Sequence, residues 1–135
     1  MLIVDDNEDA AAMLAGSLET FGHHLEVARD APSALAVSAH FVPDVALLDL
    51  GLPVIDGYEL ALRLREQPGW HDVRFAALTG YGQHHDHQRT TAAGFAAHLV
   101  KPVDVALIDR TVRRLCARAD LQDVGRDEPV LPDRP

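Results

Sequence analysis

Cysteine, aromatic residues, basic charge and long apolar runs are all scarce in this chain. The single cysteine, Cys116, excludes an internal disulfide framework and suits a reducing cytosol. Aromatic residues make up 5% against 47% apolar overall, so Leu, Val and Ala must build the core. With 12 Lys and Arg against 21 Asp and Glu, the formal net charge is −9, which argues against direct binding to nucleic acid or an anionic membrane. No apolar run approaches the ~20 residues that span a bilayer. No basic segment leads into an apolar one as in a signal peptide. No G-x-G-x-x-G follows the first apolar run, which argues against a nucleotide-binding fold. There is no internal repeat, and 135 residues suit one domain with a single sizeable core.

What is present is an alternation of short apolar runs with helical periodicity. Residues 2–4, 25–28, 45–48, 73–78 and 95–100 read as strands. The third is apolar throughout, as expected of a strand covered on both faces. Asn7 can cap a helix whose Ala11, Leu14, Ala15, Leu18 and Phe21 share one face, with Gly22 ending it. Pro32 opens a short helix to about residue 39. Asp56 and Glu59 resemble a capping box for a helix to about residue 65. A weaker helix is expected over 84–93. Asp104 caps a last helix with Leu107, Ile108, Thr111, Val112 and Leu115 inward and Arg110, Arg113 and Arg114 outward. Strands alternating with helices imply a parallel sheet with right-handed crossovers, an α/β fold. The pattern stops near Ala119, so the domain is expected to occupy 1–118, with 119–135 a polar, proline-containing tail or linker.

Chemistry gathers at the strand ends. Asp5 and Asp6 follow the first strand, Asp49 the third, Thr79 the fourth and Lys101 the fifth. Doubly wound sheets bind ligands at the carboxyl ends of their strands, so these distant positions should share one pocket. Each like-charged pair at ~4 Å costs roughly 4 kcal/mol at an effective dielectric of about 20. A hard cation removes that cost, and Mg²⁺ prefers oxygen ligands and shares sites with phosphate. Lys101 offers a point charge for a phosphoryl oxygen, Thr79 a hydroxyl donor, and Asp49 a nucleophile that gives an acyl phosphate.

The segments LIVDDNED at 2–9, LLDLGLPVIDGYEL at 47–60, ALTGYG at 77–82 and HLVKPVD at 98–104 resemble the receiver domain of two-component response regulators. The resemblance runs to about Cys116. It implies a flavodoxin-like doubly wound (βα)5 fold with a five-stranded parallel sheet of order 2-1-3-4-5. By the same resemblance Asp49 is the phosphoacceptor, charged by a histidine kinase or histidine phosphotransfer domain. Asp6 is the direct Mg²⁺ ligand, Asp5 the ligand through water, and the Gly51 carbonyl the backbone ligand. Thr79 is the switch hydroxyl, and Lys101 precedes Pro102 through a bond that is usually cis in the family. The face made by the fourth helix, fifth strand and fifth helix is the one expected to reorganise, and it offers a surface for a homodimer.

Several positions depart from that pattern. His98 stands where the family commonly has Tyr or Phe. It reads as a surface or half-buried filler, with a pH-sensitive switch as the sharper alternative. Gly51 lacks a side chain to hold or block a hydrolytic water, and Tyr81 offers shielding, so autodephosphorylation is expected to be slow. His84, His85 and His87 read as a solvated helix start rather than a metal site. Cys116 reads as core packing, Trp70 as packing in the loop before the fourth strand, and the stripe of Arg110, Arg113, Arg114 and Arg118 as a solvated face, with docking of an acidic partner helix the alternative.

The leading function is a cytoplasmic phosphoacceptor domain of a phosphorelay. The rivals are a Mg²⁺-dependent phosphohydrolase with an aspartyl nucleophile and a receiver-like interaction module that ignores phosphate. Nothing after Cys116 suggests a DNA-binding module. The domain is expected to be either a stand-alone regulator or the receiver of a hybrid histidine kinase. The segment GFAAHLVKPVD at 94–104 resembles the terminal receivers of hybrid kinases, and the abrupt start before Asp5 and the ragged tail fit excision from a longer chain, which favours the second reading.

Overall fold

The computed structural model describes residues 1–52, 55–80 and 87–124. In chain order the elements are β1 (Leu2–Val4), α1 (Glu8–Thr20), β2 (Glu26–Ala28), α2 (Ala31–Ser38), β3 (Val45–Asp49), α3 (Gly57–Arg65), β4 (Arg74–Thr79), α4 (His87–Ala92), β5 (Phe95–Val100) and α5 (Val105–Val124). All strand pairs are parallel and their order is β2-β1-β3-β4-β5, as expected.

Short polar side chains start the helices. Asn7 Oδ1 accepts from the Ala10 N–H, Asp30 Oδ1 from Ser33, Asp56 Oδ1 from Glu59 and Asp104 Oδ1 from Ala106. Each satisfies an amide left open by the first helical turn. The Asp56–Glu59 box is half made, because the Glu59 carboxylate pairs with Arg63 Nε at 3.1 Å, one turn along α3.

Alternation along the strands divides the core into two layers. Leu2, Val4, Ala46, Leu48, Phe75 and Ala77 pack with α2 and α3, around a fully buried Trp70. Ile3, Val45, Leu47, Ala76, Leu78 and Leu99 pack with Leu18 of α1 and Ile108, Val112 and Leu115 of α5. All five residues of β3 are buried, so Asp49 ends a strand closed to water on both faces.

Three details differ from the expected pattern. Leu107 is 39% exposed, because the buried face of α5 runs through Ile108, Thr111, Val112 and Leu115, and Leu107 sits on its shoulder. Phe21 is 39% exposed, since α1 ends at Thr20 and the chain turns away before the ring can join the face. The backbone of α5 stays helical to Val124, past the expected stop near Ala119, as the helix-forming Ala117, Arg118, Ala119, Leu121 and Gln122 favour. The expected tail over 125–135 lies outside the described residues.

Candidate functional site

Three strand ends deliver the charged core of the site. Asp5 leaves β1, Asp49 ends β3, and Lys101 follows β5. Asp5 and Asp49 are buried and Asp6 is exposed. One carboxylate oxygen from each of the three acids can be chosen so that all lie within 4.8 Å of one another. Lys101 Nζ bridges the two buried acids, 2.7 Å from Asp5 Oδ2 and 3.2 Å from Asp49 Oδ2. Partial burial pulls the ammonium pKa down, but hydrogen bonding to Asp5 and the charge of Asp49 outweigh it and hold Lys101 above its ordinary value.

Backbone amides orient both carboxylates. The Gly51 N–H donates to Asp49 Oδ1 at 2.8 Å, and the Asn7 N–H to Asp5 Oδ1 at 3.0 Å. The loop behind Asp49 is held by Leu50 N–H to Leu78 carbonyl at 2.9 Å and Gly57 N–H to Leu50 carbonyl at 3.2 Å. Gly57 is needed there, because a β-carbon would stand 2.7 Å from the Asp49 carbonyl oxygen. The sequence signal for this contact was a glycine directly after a helix cap, where glycine is a poor helix former.

Thr79 is buried at the end of β4, and its carbonyl accepts from the Lys101 N–H at 2.7 Å. This bond ties the ends of β4 and β5 together at the site. The Lys101–Pro102 peptide is cis. The Thr79 hydroxyl lies 3.5 Å from His98 Nε2, so His98, half-buried on β5, faces Thr79 rather than open solvent. Thus Asp5, Asp6, Asp49 and Lys101 form one charged cluster, Gly51 borders it through its amide, and Thr79 and His98 form a neighbouring pair.

Of the other positions read from the sequence, Cys116 is partly buried against the α5 core layer. Arg110, Arg113 and Arg114 are exposed. Arg113 is also engaged, with Nε on the Asp109 carboxylate and Nη2 on the Phe21 carbonyl. Tyr81, His84 and His85 lie outside the described residues, as do the side chains of His87 and Arg118.

A model of the response regulator receiver domain family matches residues 1–113. An uncharacterised 14.6 kDa protein of Leptolyngbya boryana is 35% identical over 116 residues, which cover 86% of this chain and 88% of that protein. The DNA-binding dual master transcriptional regulator RpaA of Synechocystis is 32% identical over 89% of this chain, which spans 50% of RpaA. Among solved structures, the signal receiver domain of a signal transduction histidine kinase from Syntrophus aciditrophicus superposes with a TM-score of 0.74 at 28% identity, covering 97% of this chain and 96% of that one.

Proposed function

The chain belongs to the response regulator receiver domain family, and on that premise we propose that Asp49 is the residue it phosphorylates. Such a domain is a signalling phosphoacceptor of two-component systems rather than a classical enzyme, and it works with a histidine kinase or phosphotransfer domain. The observation that carries the assignment is Lys101 Nζ, fixed between Asp5 and Asp49 at the mouth of a strand buried on both faces.

In the proposed step an Asp49 carboxylate oxygen forms a bond to phosphorus as the bond from phosphorus to a histidine nitrogen breaks, and the imidazole keeps the electron pair. The Gly51 amide holds the attacking carboxylate in place through Oδ1. Lys101 stands ready to follow charge from the carboxylate to a phosphoryl oxygen. Thr79 serves as the hydroxyl that registers the phosphoryl group and His98 as its neighbour in the switch. The three carboxylates fit Mg²⁺, and Asp5, Asp6 and Asp49 are the residues to hold it, with the Gly51 carbonyl as the backbone ligand that the family resemblance implies. When bound, the ion supplies positive charge against the carboxylates and the incoming phosphoryl group.

The phosphohydrolase alternative is disfavoured by Gly51. It occupies the position where such an enzyme would carry a second acid, and it contributes an amide instead. The same lack of a side chain supports slow autodephosphorylation. The histidine-kinase receiver at near-complete coverage of both chains supports an origin in a hybrid kinase. No helix among the described residues is long and apolar enough to cross a membrane. Work with a histidine kinase supports a cytoplasmic domain, and the −9 charge supports one that does not contact nucleic acid itself, with a homodimer through α4, β5 and α5 as its route of assembly.

Backbone NMR with beryllofluoride and Mg²⁺ tests the reading. Saturable shifts at Gly51 and Thr79 are expected in the native chain and not in Asp49→Asn. Their absence from the native chain overturns the assignment.

A further inference from the structure

Tyr58, in the first turn of α3, is joined to two residues of α4. Arg89 lies over its ring, with Cζ 3.8 Å from the centroid, and Arg89 Nη2 is 3.7 Å from Asp56 Oδ2. The next residue, Thr90, is buried and places Oγ1 3.4 Å from the Tyr58 hydroxyl. The same ring meets Phe95 of β5 edge to face, at 6.2 Å and 87°. α4 has only six residues, and a cation over an aromatic face, an exposed ion pair and a hydroxyl contact tie it to the start of α3.

The other end of this arrangement reaches the phosphoacceptor. Tyr58 follows Gly57, which is packed so closely on the Asp49 carbonyl that a β-carbon would come within 2.7 Å of it. Gly57 also donates to the Leu50 carbonyl, and Asp56 caps the same helical turn through the Glu59 amide. The start of α3 is thus braced on one side by the Asp49–Leu50 backbone and on the other by Arg89 and Thr90 of α4. We infer that Asp56, Tyr58 and Arg89 form a clasp that couples the loop behind Asp49 to α4, a route separate from the Thr79–His98 pair.

The inference rests on Asp49 as phosphoacceptor, and one experiment distinguishes the two failures. Backbone NMR follows the native chain, Arg89→Ala, Arg89→Lys and Tyr58→Leu as beryllofluoride and Mg²⁺ are added. Arg89 is 60% exposed in its side chain, so its substitutions leave the core intact. In the native chain Gly51 and residues 90–92 shift together. In Arg89→Ala and Tyr58→Leu the Gly51 shift stays and that of residues 90–92 falls to half or less. Arg89→Lys keeps the charge and restores the response. Full-size shifts of 90–92 in Arg89→Ala overturn the clasp while leaving Asp49 in place. No Gly51 shift in the native chain overturns Asp49 and the clasp with it.

Discussion

Gly57 and Asp49 are in backbone contact across the loop that follows β3: a β-carbon at Gly57 would stand 2.7 Å from the Asp49 carbonyl oxygen and 2.8 Å from Leu50 Cα. Both obstacles are backbone, so no rotamer change relieves them. Gly57→Ala is expected to cost about 1–3 kcal/mol, as overpacking does. The helix-propensity gain of Ala over Gly, at most about 1 kcal/mol, does not offset this. Urea unfolding checks the value, and unchanged or raised stability contradicts the contact.

Lys101 links the two buried acids, so removing its charge leaves Asp5 and Asp49 facing each other. Its side chain keeps 31% exposure, and screening reduces the usual cost of breaking a buried pair. Lys101→Met is expected to lose roughly 1–3 kcal/mol without divalent cation, and less with Mg²⁺ present. The raised Lys101 pKa sets the sign with pH. The pairing contributes fully below the ordinary value of 10.5 and is lost as pH rises through the higher folded value. From neutral pH upward, the stability gap between native chain and variant should therefore close only at strongly alkaline pH. A gap that closes near neutrality contradicts the pairing.

Asp109 joins α5 to the turn after α1, with His23 Nε2 at 2.7 Å and Arg113 Nε at 2.9 Å. Desolvation pushes its carboxyl up, but hydrogen bonds from His23 and Arg113 prevail and hold it below the ordinary 3.8. A depressed carboxylate contributes stability above its unfolded pKa and loses it as pH falls through the folded one. Asp109→Asn should therefore be less stable than the native chain between pH 7 and about pH 5, with the margin narrowing below the unfolded value near 3.9. Thermal melts across that range check it, and a margin independent of pH down to 2 contradicts it.

Thr79 and His98, 3.5 Å apart, suggest a pH-dependent switch. A neutral imidazole can accept the Thr79 hydroxyl proton and compete with a phosphoryl oxygen, whereas an imidazolium only donates and leaves that proton available. Beryllofluoride-induced shifts beyond Asp49 should be larger at pH 6 than at pH 8, and His98→Phe should remove the difference. Equal shifts in the native chain at both pH values contradict the idea.

The parts of the site legible in the sequence were those fixed by strand position. Asp5, Asp49, Thr79 and Lys101 each close an apolar run, and parallel topology brings such ends together. The sheet order came with the family resemblance. Contacts set by how elements cross were not legible. Arg89 and Tyr58 lie 31 residues apart, as their numbers show, and no periodicity joins them. The engagement of Glu59 by Arg63, which leaves the capping box half made, and the shoulder position of Leu107 depend on small choices of rotamer and helix phase that a repeat of apolar residues does not specify.

Phosphoryl transfer tests the central claim most directly. The native chain is incubated with Mg²⁺ and a phosphorylated histidine phosphotransfer domain, then examined by intact mass and hydroxylamine sensitivity. The account predicts that one hydroxylamine-labile phosphoryl group accumulates on the native chain and none on Asp49→Asn. Equal labelling of Asp49→Asn, or continuous release of phosphate with no phosphorylated chain, would contradict it.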